Sequence, residues 1–318
     1  VAFLTTFFVV PKIRRFSIVN NYTDYPNERK LHTNPIPRLG GFAIFFGSIF
    51  SYLVGFLLFR EFFVNSIDFG ILIALLLGGF SFFLIGIFDD IKSLSPWKRL
   101  FFQIFFSIIL WNSGLSIRFL DLSWFNFTGD TLQIYNILSL IITVFWISGV
   151  TNSINWIDGL DGLAIGIAFI SSIGFFLISL GNNQILACVL ALNIAGSCLG
   201  FWFHNSHPAS IFMGDGGSYY IGFNLAILGI IASSSNYIDN SRLVINPIFG
   251  FLILSLPIGD MAYVIFRRIQ IGNSPFYPDC MHLHHRLMTK GLNSKITIQI
   301  IYFLTLLGSI AALTLKYL

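Results

Sequence analysis

The chain has 318 residues, of which 55% are hydrophobic and only 10% are Asp, Glu, Lys or Arg. Soluble domains carry about 25% charged residues, so an ordinary water-soluble domain is excluded. A net formal charge of +4 gives no support to a nucleic-acid partner.

The apolar residues gather into runs of about 20, the length that crosses a bilayer as a helix. The first run, 1–11, precedes Lys12, Arg14 and Arg15. A signal peptide has the reverse order, so this reads as an uncleaved first span that is short or lacks its beginning. Further spans are expected at 40–59, 69–88, 100–117, 134–151, 162–180, 185–203, 217–235, 247–267 and 296–315. Each should be a helix, because a segment in lipid must satisfy its own backbone hydrogen bonds. The segment 118–132, with Trp124, Phe125 and Phe127, reads as a small hairpin against the membrane. The prediction is an all-α polytopic membrane protein, one domain over 1–318, with about ten transmembrane helices.

Connections alternate between two sides. One side carries 14 of the 18 Lys and Arg residues, counting Arg267. The positive-inside rule makes that side cytoplasmic, with both termini outside. All six histidines fall there too, as do Asp24, Glu28, Asp89, Asp90, Asp158, Asp161, Asp215 and Asp279. Acids at span ends rather than mid-membrane fit an active site at the cytoplasmic face better than a transport path. Asp260 lies deeper and reads as a buried acid paired with a polar neighbour.

In chain order, the first cytoplasmic connection offers Arg29, Lys30, His32 and Arg38 as anion-binding groups, or simply as the positive-inside signal. Asp89 and Asp90 close the third span. The C-terminus of a helix is its negative pole, so this pair needs a cation, a proton, or partners such as Lys92, Lys98 and Arg99. Close carboxylates can also raise one another's pKa and make a base. Next comes an amide- and acid-rich stretch, Asn152, Asn155, Asp158 and Asp161, with no Lys or Arg to balance it. Its members are three apart, so neighbours would share a helix face. His204-Asn205 and Phe212-Met-Gly-Asp215 lie between the seventh and eighth spans. Asp215 suits a helix cap or a hard oxygen ligand for Mg²⁺. The last cluster is Asp279-Cys-Met-His282-Leu-His284-His285-Arg286. Its spacing matches no usual zinc pattern, and His with Arg suits phosphates as charge-assisted donors. Carboxylates, amides and basic groups on one membrane face fit a metal-assisted reaction of phosphates.

These motifs resemble the polyprenyl-phosphate N-acetylhexosamine-1-phosphate transferases over nearly the whole chain. The resemblance rests on Arg29-Lys30-Leu-His32 with Pro37-Arg38-Leu-Gly40-Gly41, and on Asp89-Asp90 with Leu94-Ser95-Pro96. It continues through Asn152 to Gly166, Phe212-Met-Gly-Asp215 and His282-Leu-His284-His285. Gly216-Gly217 departs from the larger residue many relatives have after the Asp. The resemblance implies transfer of a sugar-1-phosphate from a UDP-N-acetylhexosamine, N-acetylglucosamine foremost, to undecaprenyl phosphate, with release of UMP and a need for Mg²⁺ or Mn²⁺. It implies the first membrane step of a cell-envelope polysaccharide, in a bacterial inner membrane, by an enzyme that can be a homodimer. The short histidine motif resembles the branch that initiates O-antigen, teichoic acid or capsule synthesis. By resemblance, Asp215 and Asn155 bind the metal, and Asp89 or Asp90 deprotonates or orients the lipid phosphate. Asn152, Asp158, Asp161, Asn205 and Phe212 hold the nucleotide sugar. Lys30, Arg38, His282, His284 and His285 contact phosphates, with His285 counted as catalytic. The rival classes are a transporter and an intramembrane aspartyl protease. Gly214-Asp215 shares part of the latter's motif but lacks its first glycine.

Overall fold

In the computed structural model, residues 1–25, 35–121, 131–238, 242–277 and 279–317 are described. Helix α1 (Ala2–Val19) leads through the antiparallel pair β1 (Thr23–Asp24) and β2 (Ile36–Pro37) to α2 (Gly41–Leu58). Next come α3 (Arg60–Ser66), α4 (Phe69–Lys92), α5 (Pro96–Asn112), β3 (Phe119–Asp121) and β4 (Thr131–Gln133). Then follow α6 (Asn136–Ile157), α7 (Leu163–Gly181), α8 (Ile185–Asn205), α9 (Gly214–Ile231), β5 (Ser234–Ile238) and β6 (Arg242–Ile245). The chain ends with α10 (Pro247–Ile253), α11 (Ser255–Gln270), α12 (Leu283–Thr289) and α13 (Ser294–Tyr317).

Each expected span overlaps a helix, but 217–235 runs past α9 into β5 and 247–267 is split between α10 and α11. Among the described residues, α2, α4, α6, α7, α8 and α13 are long and apolar enough to cross a bilayer. Helices α10 and α11 make a seventh span if taken together, bent by 79°. Three other expected spans fall short by length or composition. Helix α1 carries Lys12, Arg14 and Arg15, α5 has 17 residues, and α9 begins with Gly-Asp-Gly-Gly. Large exposed side chains such as Ile137, Phe145, Phe101 and Leu57 face outward, as a lipid-facing surface requires. The chain is a multi-pass membrane protein.

Several helices run further than hydropathy indicated. Helix α4 continues to Lys92, α6 to Ile157, α8 to Asn205 and α1 to Val19. An apolar window stops at the first polar residues, but a helix does not. Asp89, Asp90, Asn152 and Asn155 are therefore helical and have a fixed facing. Helix α9 is the axis of the bundle. Every residue from Gly216 to Ile231 is buried, and α4, α6 and α2 all pack on it. Small residues permit the approach: a Cβ on Gly86 of α4 would run into the Asp215 carbonyl, and one on Gly41 of α2 into the Gly217 amide.

At the opposite end, the expected hairpin is present as antiparallel β3 and β4, and its tip, 122–130, lies outside the described residues. It joins a second hairpin that hydropathy did not indicate. Strand β3 pairs in parallel with β6, and β6 pairs antiparallel with β5, in the order β4-β3-β6-β5.

Candidate active site

The end of α4 and the start of α9 are locked together by the two adjacent carboxylates. Asp90 accepts hydrogen bonds from the Asp215 N–H on Oδ1 and from the Gly216 N–H on Oδ2, each at 2.9 Å. Its Oδ1 also lies 2.7 Å from Arg38 Nη2, and its side chain is fully buried. Asp89 accepts from the Leu94 N–H at 2.7 Å and from Arg99 Nη1 at 2.7 Å. The unfavourable charge at the negative pole of α4 is thus handed to the positive pole of α9 and to two arginines. Gly214 stands at the crossing with φ +71°, where a Cβ would strike the Asp90 carboxylate and the Arg38 carbonyl. Arg99 was an expected partner of the acid pair, and Arg38 was not.

Beside this junction opens a cavity of about 1110 Å³. Of the candidate residues, Arg38, Asn155, Asp158, Asp161, Asn205, Phe212, Asp215 and His285 line it. Asp89, Asp90, Asn152, His282 and His284 do not, and Lys30 lies outside the described residues.

Asp215 is the carboxylate at the centre. Asn155 Nδ2 donates to its Oδ1 at 2.7 Å and to Ser218 Oγ at 2.8 Å, while Arg38 Nη2 donates to its Oδ2 at 3.4 Å. Asn155 therefore orients Asp215 through its amide nitrogen, which leaves the amide oxygen for another partner. Arg38 is shared by Asp90 and Asp215 and lies 4.0 Å from Asp24. Asp158, on the α6–α7 connection, also faces the cavity. Burial, then repulsion by Asp215 and Asp161, pushes its pKa up to about 7. Among the described residues no group of three or more His, Cys, Asp or Glu side chains forms a metal cage. Mg²⁺ takes one or two carboxylates and completes its shell with water and phosphates. Asp215, with the Asn155 oxygen beside it, fits that donor set.

Other candidates act on the protein itself. Asn205 accepts from the Gly162 N–H at 3.1 Å and donates to the Ile211 carbonyl at 2.9 Å. Both ends of its amide are thus held by the protein, and they shape the cavity wall. Phe212 is fixed by its backbone, with its N–H donating to Pro37 O at 2.7 Å and its carbonyl accepting from Gly40 N at 2.9 Å. One carboxylate oxygen of Asp161 receives His207 Nδ1 at 2.9 Å and the Ala209 N–H at 3.1 Å. Asn152 turns away from the cavity and donates to Gln103 of α5 at 2.7 Å. Its expected contact with a nucleotide sugar has no counterpart here. Three residues leave a net offset of about 60° around the helix, so Asn152 sits at the edge of the Asn155 face, next to α5.

The histidines divide. His282 Nδ1 donates to Asp260 at 2.8 Å, and the Leu283 N–H donates to the same carboxylate at 2.7 Å. Asp260 is thus the paired buried acid that was expected, and it pins the start of α12. His284 is 1% exposed, stacks on His282, lies tilted against His285, and packs under Gly159. Burial, then the neighbouring histidines, lowers its pKa to about 3. His285 reaches the cavity, and its pKa is lowered by burial and by His282. His282 and His284 stand behind the wall rather than on it, so of the three expected phosphate contacts only His285 faces the cavity. Asp279 is held by Arg268 through two bonds of 3.1 and 3.0 Å, and these keep its pKa low against the opposing effect of burial. His207, Asp24 and Arg14 line the cavity although the motifs did not single them out. For His207 the available signal was its place between Asn205 and Phe212.

Residues 72–233 match glycosyl transferase family 4. Three similar proteins cover most of the chain. The first is a probable undecaprenyl-phosphate N-acetylglucosaminyl 1-phosphate transferase of Bacillus subtilis (strain 168), 33% identical over 99% of this chain and 83% of its own length. The second is a decaprenyl-phosphate N-acetylglucosaminephosphotransferase of Mycobacterium tuberculosis (strain H37Rv), 31% identical over 95% and 77%. The third is an undecaprenyl-phosphate alpha-N-acetylglucosaminyl 1-phosphate transferase of Yersinia pestis, 27% identical over 94% and 78%.

Proposed function

The chain belongs to glycosyl transferase family 4, and from that premise we propose that it transfers N-acetylglucosamine 1-phosphate to a polyprenyl phosphate in the membrane. The donor in this reading is UDP-N-acetylglucosamine, the acceptor is undecaprenyl phosphate, and UMP leaves. The setting is a bacterial inner membrane with the cavity facing the cytoplasm, both termini outside, and a homodimer as the assembly. The alternatives, a transporter or an intramembrane aspartyl protease, have no support from the relatives.

Most weight falls on Asp215, a carboxylate that Asn155 and Arg38 aim at a cavity large enough for a nucleotide sugar. Bound there by Asp215 and the Asn155 oxygen, Mg²⁺ or Mn²⁺ would offset the charge of the pyrophosphate and of the departing UMP. Arg38 supplies a second positive charge beside the same phosphates. The acceptor phosphate oxygen attacks the sugar-linked phosphorus, and the bond from that phosphorus to the UMP oxygen breaks.

A double displacement through Asp89 or Asp90 fits poorly. Both carboxylates are occupied by backbone amides and arginines, and neither lines the cavity. They act in this reading as anchors that place Arg99, Arg38 and the start of α9. Asp158, open to the cavity with a pKa near 7, is the better group to accept a proton from the acceptor phosphate.

The test uses purified protein with undecaprenyl phosphate, Mg²⁺ and a panel of labelled UDP-sugars. Label should pass into butanol from UDP-N-acetylglucosamine with one UMP released per transfer. Absence of transfer from every UDP-sugar would overturn the donor assignment. Sidedness has its own test. Cysteines at Ser206 and Asn273 should label from the cytoplasm and one at Asn183 from outside, and a mixed pattern would break the single-face reading.

A further inference from the structure

The connection from α8 to α9, residues 206–213, forms one wall of the cavity and is tied down at nearly every polar group. The Ser210 N–H and Oγ both donate to the His204 carbonyl, at 2.9 and 2.8 Å. Arg14 of α1 donates to the Ser210 carbonyl at 3.0 Å. Asn205 holds the Ile211 carbonyl, and Asp161 holds the Ala209 N–H. On this fixed loop His207 stands in the cavity lining with its side chain 66% exposed.

The contact with Asp161 sets the chemistry of the ring. A carboxylate can only accept, so the proton of the neutral imidazole sits on Nδ1 and Nε2 carries the lone pair. Among the described residues Nε2 has no hydrogen-bond partner. Asp161 beside it can only accept, while Arg38 lies by Asp215. Nε2 therefore suits a substrate group that brings its own N–H or O–H.

We infer that His207 is a specificity-determining residue for the nucleotide-sugar donor, with its Nε2 accepting a hydrogen bond from an N–H or O–H of that substrate. This rests on the reading of the donor as a UDP-sugar. The uracil ring, the ribose and the N-acetylated sugar all present such groups. Asp161 then acts through His207, as a positioning residue, rather than by touching the sugar itself.

The experiment compares wild type, His207→Ala and His207→Gln in the full chain, with UDP-N-acetylglucosamine as substrate and UMP as competitive inhibitor. Wild-type turnover comes first, and its absence would count against the donor reading, not against His207. Loss of one net hydrogen bond predicts a KM about five- to tenfold higher in His207→Ala, with kcat within about twofold. The glutamine amide oxygen can accept in the same place, so His207→Gln should return to within about twofold of wild type. A parallel rise in the UMP inhibition constant puts the donor group on the nucleotide. An unchanged constant puts it on the sugar, and both outcomes support the inference. Unchanged KM and UMP inhibition in His207→Ala would overturn it. So would equal loss in both variants with a lowered Tm, which would leave His207 as a loop tether only.

Discussion

The α4–α9 junction and the α6–α7 connection both put acids beside the cavity, yet they treat them in opposite ways. At the junction, Asp89 and Asp90 are fully engaged by amides and arginines. On the connection, Asp158 faces the cavity with a pKa pushed up to about 7 by burial and by neighbouring acids. A satisfied buried carboxylate holds geometry, and an unsatisfied one is available for chemistry. Asp215 stands between the two cases: it is gripped by Asn155 and Arg38 and still open to the cavity.

That intermediate position gives the largest expected effect. Asp215→Asn keeps the shape and the bond to Arg38 in part, but removes the charge that a divalent cation needs. Turnover should fall by roughly 100-fold or more, the scale of losing an electrostatic group at a reacting centre. The Mg²⁺ titration should flatten while Tm stays near wild type. Near-normal turnover with an unchanged Mg²⁺ titration would erase the distinction between Asp215 and its structural neighbours.

Asp90 should fail differently. Asp90→Ala strips acceptors from two α9 amides and leaves Arg38 without its closest carboxylate. Breaking a buried charged pair costs about 3–5 kcal/mol, so Tm should drop together with activity. If Asp90→Ala lost activity at wild-type Tm, Asp90 would belong with the chemical group and the comparison would have to be redrawn.

Asp158 carries the pH prediction, a smaller effect of opposite sign. Its folded pKa of about 7 lies above the unfolded value near 3.9. The unfolded chain therefore loses this proton first, and stability falls as pH rises between about 4 and 7. Asp158→Asn removes that slope. Without divalent cations, Tm at pH 8 should exceed wild type by on the order of a few degrees and should match it near pH 4. Activity should fall even as stability rises, and the rise of wild-type activity through pH 7 should vanish. A variant less stable than wild type at pH 8 would show that Asp158 is paired after all.

Much of this was legible in the sequence, for reasons that differ by element. The spans were legible because twenty apolar residues have few other fates. The gathering of motifs at one end followed from the alternation of connections, and the β3–β4 hairpin from its aromatic, turn-rich composition. What could not be read was facing and partnership. Nothing in the sequence says that Asp90 reaches the amides of Asp215 and Gly216, 125 residues away or more. Nor does it say that Asp161 spends an oxygen on His207. The β5–β6 hairpin was missed because β5, Ser234–Ile238, is mostly polar and the apolar run in β6, Arg242–Ile245, is only three residues long.

Asn152 is where facing decides the outcome, and it carries the smallest expected effect. It shares its motif with Asn155 and Asp158, so sequence alone makes it a substrate contact. The structure gives it to Gln103, whose Nε2 is already buried without a partner among the described residues. Asn152→Leu should leave KM and kcat within about twofold of wild type. It should cost roughly 1–3 kcal/mol, because the Gln103 oxygen is then buried and unsatisfied as well. Gln103→Leu should cost a comparable amount or less for the same reason. Replacing both removes the stranded groups together, and a pair of apolar residues of similar shape can be nearly neutral. Unfolding of the two single variants and the double variant should therefore show strong non-additivity, with the double close to wild type. A large rise in KM for Asn152→Leu, with additive stabilities, would return Asn152 to the cavity and make the helix facing of α6 wrong at that turn.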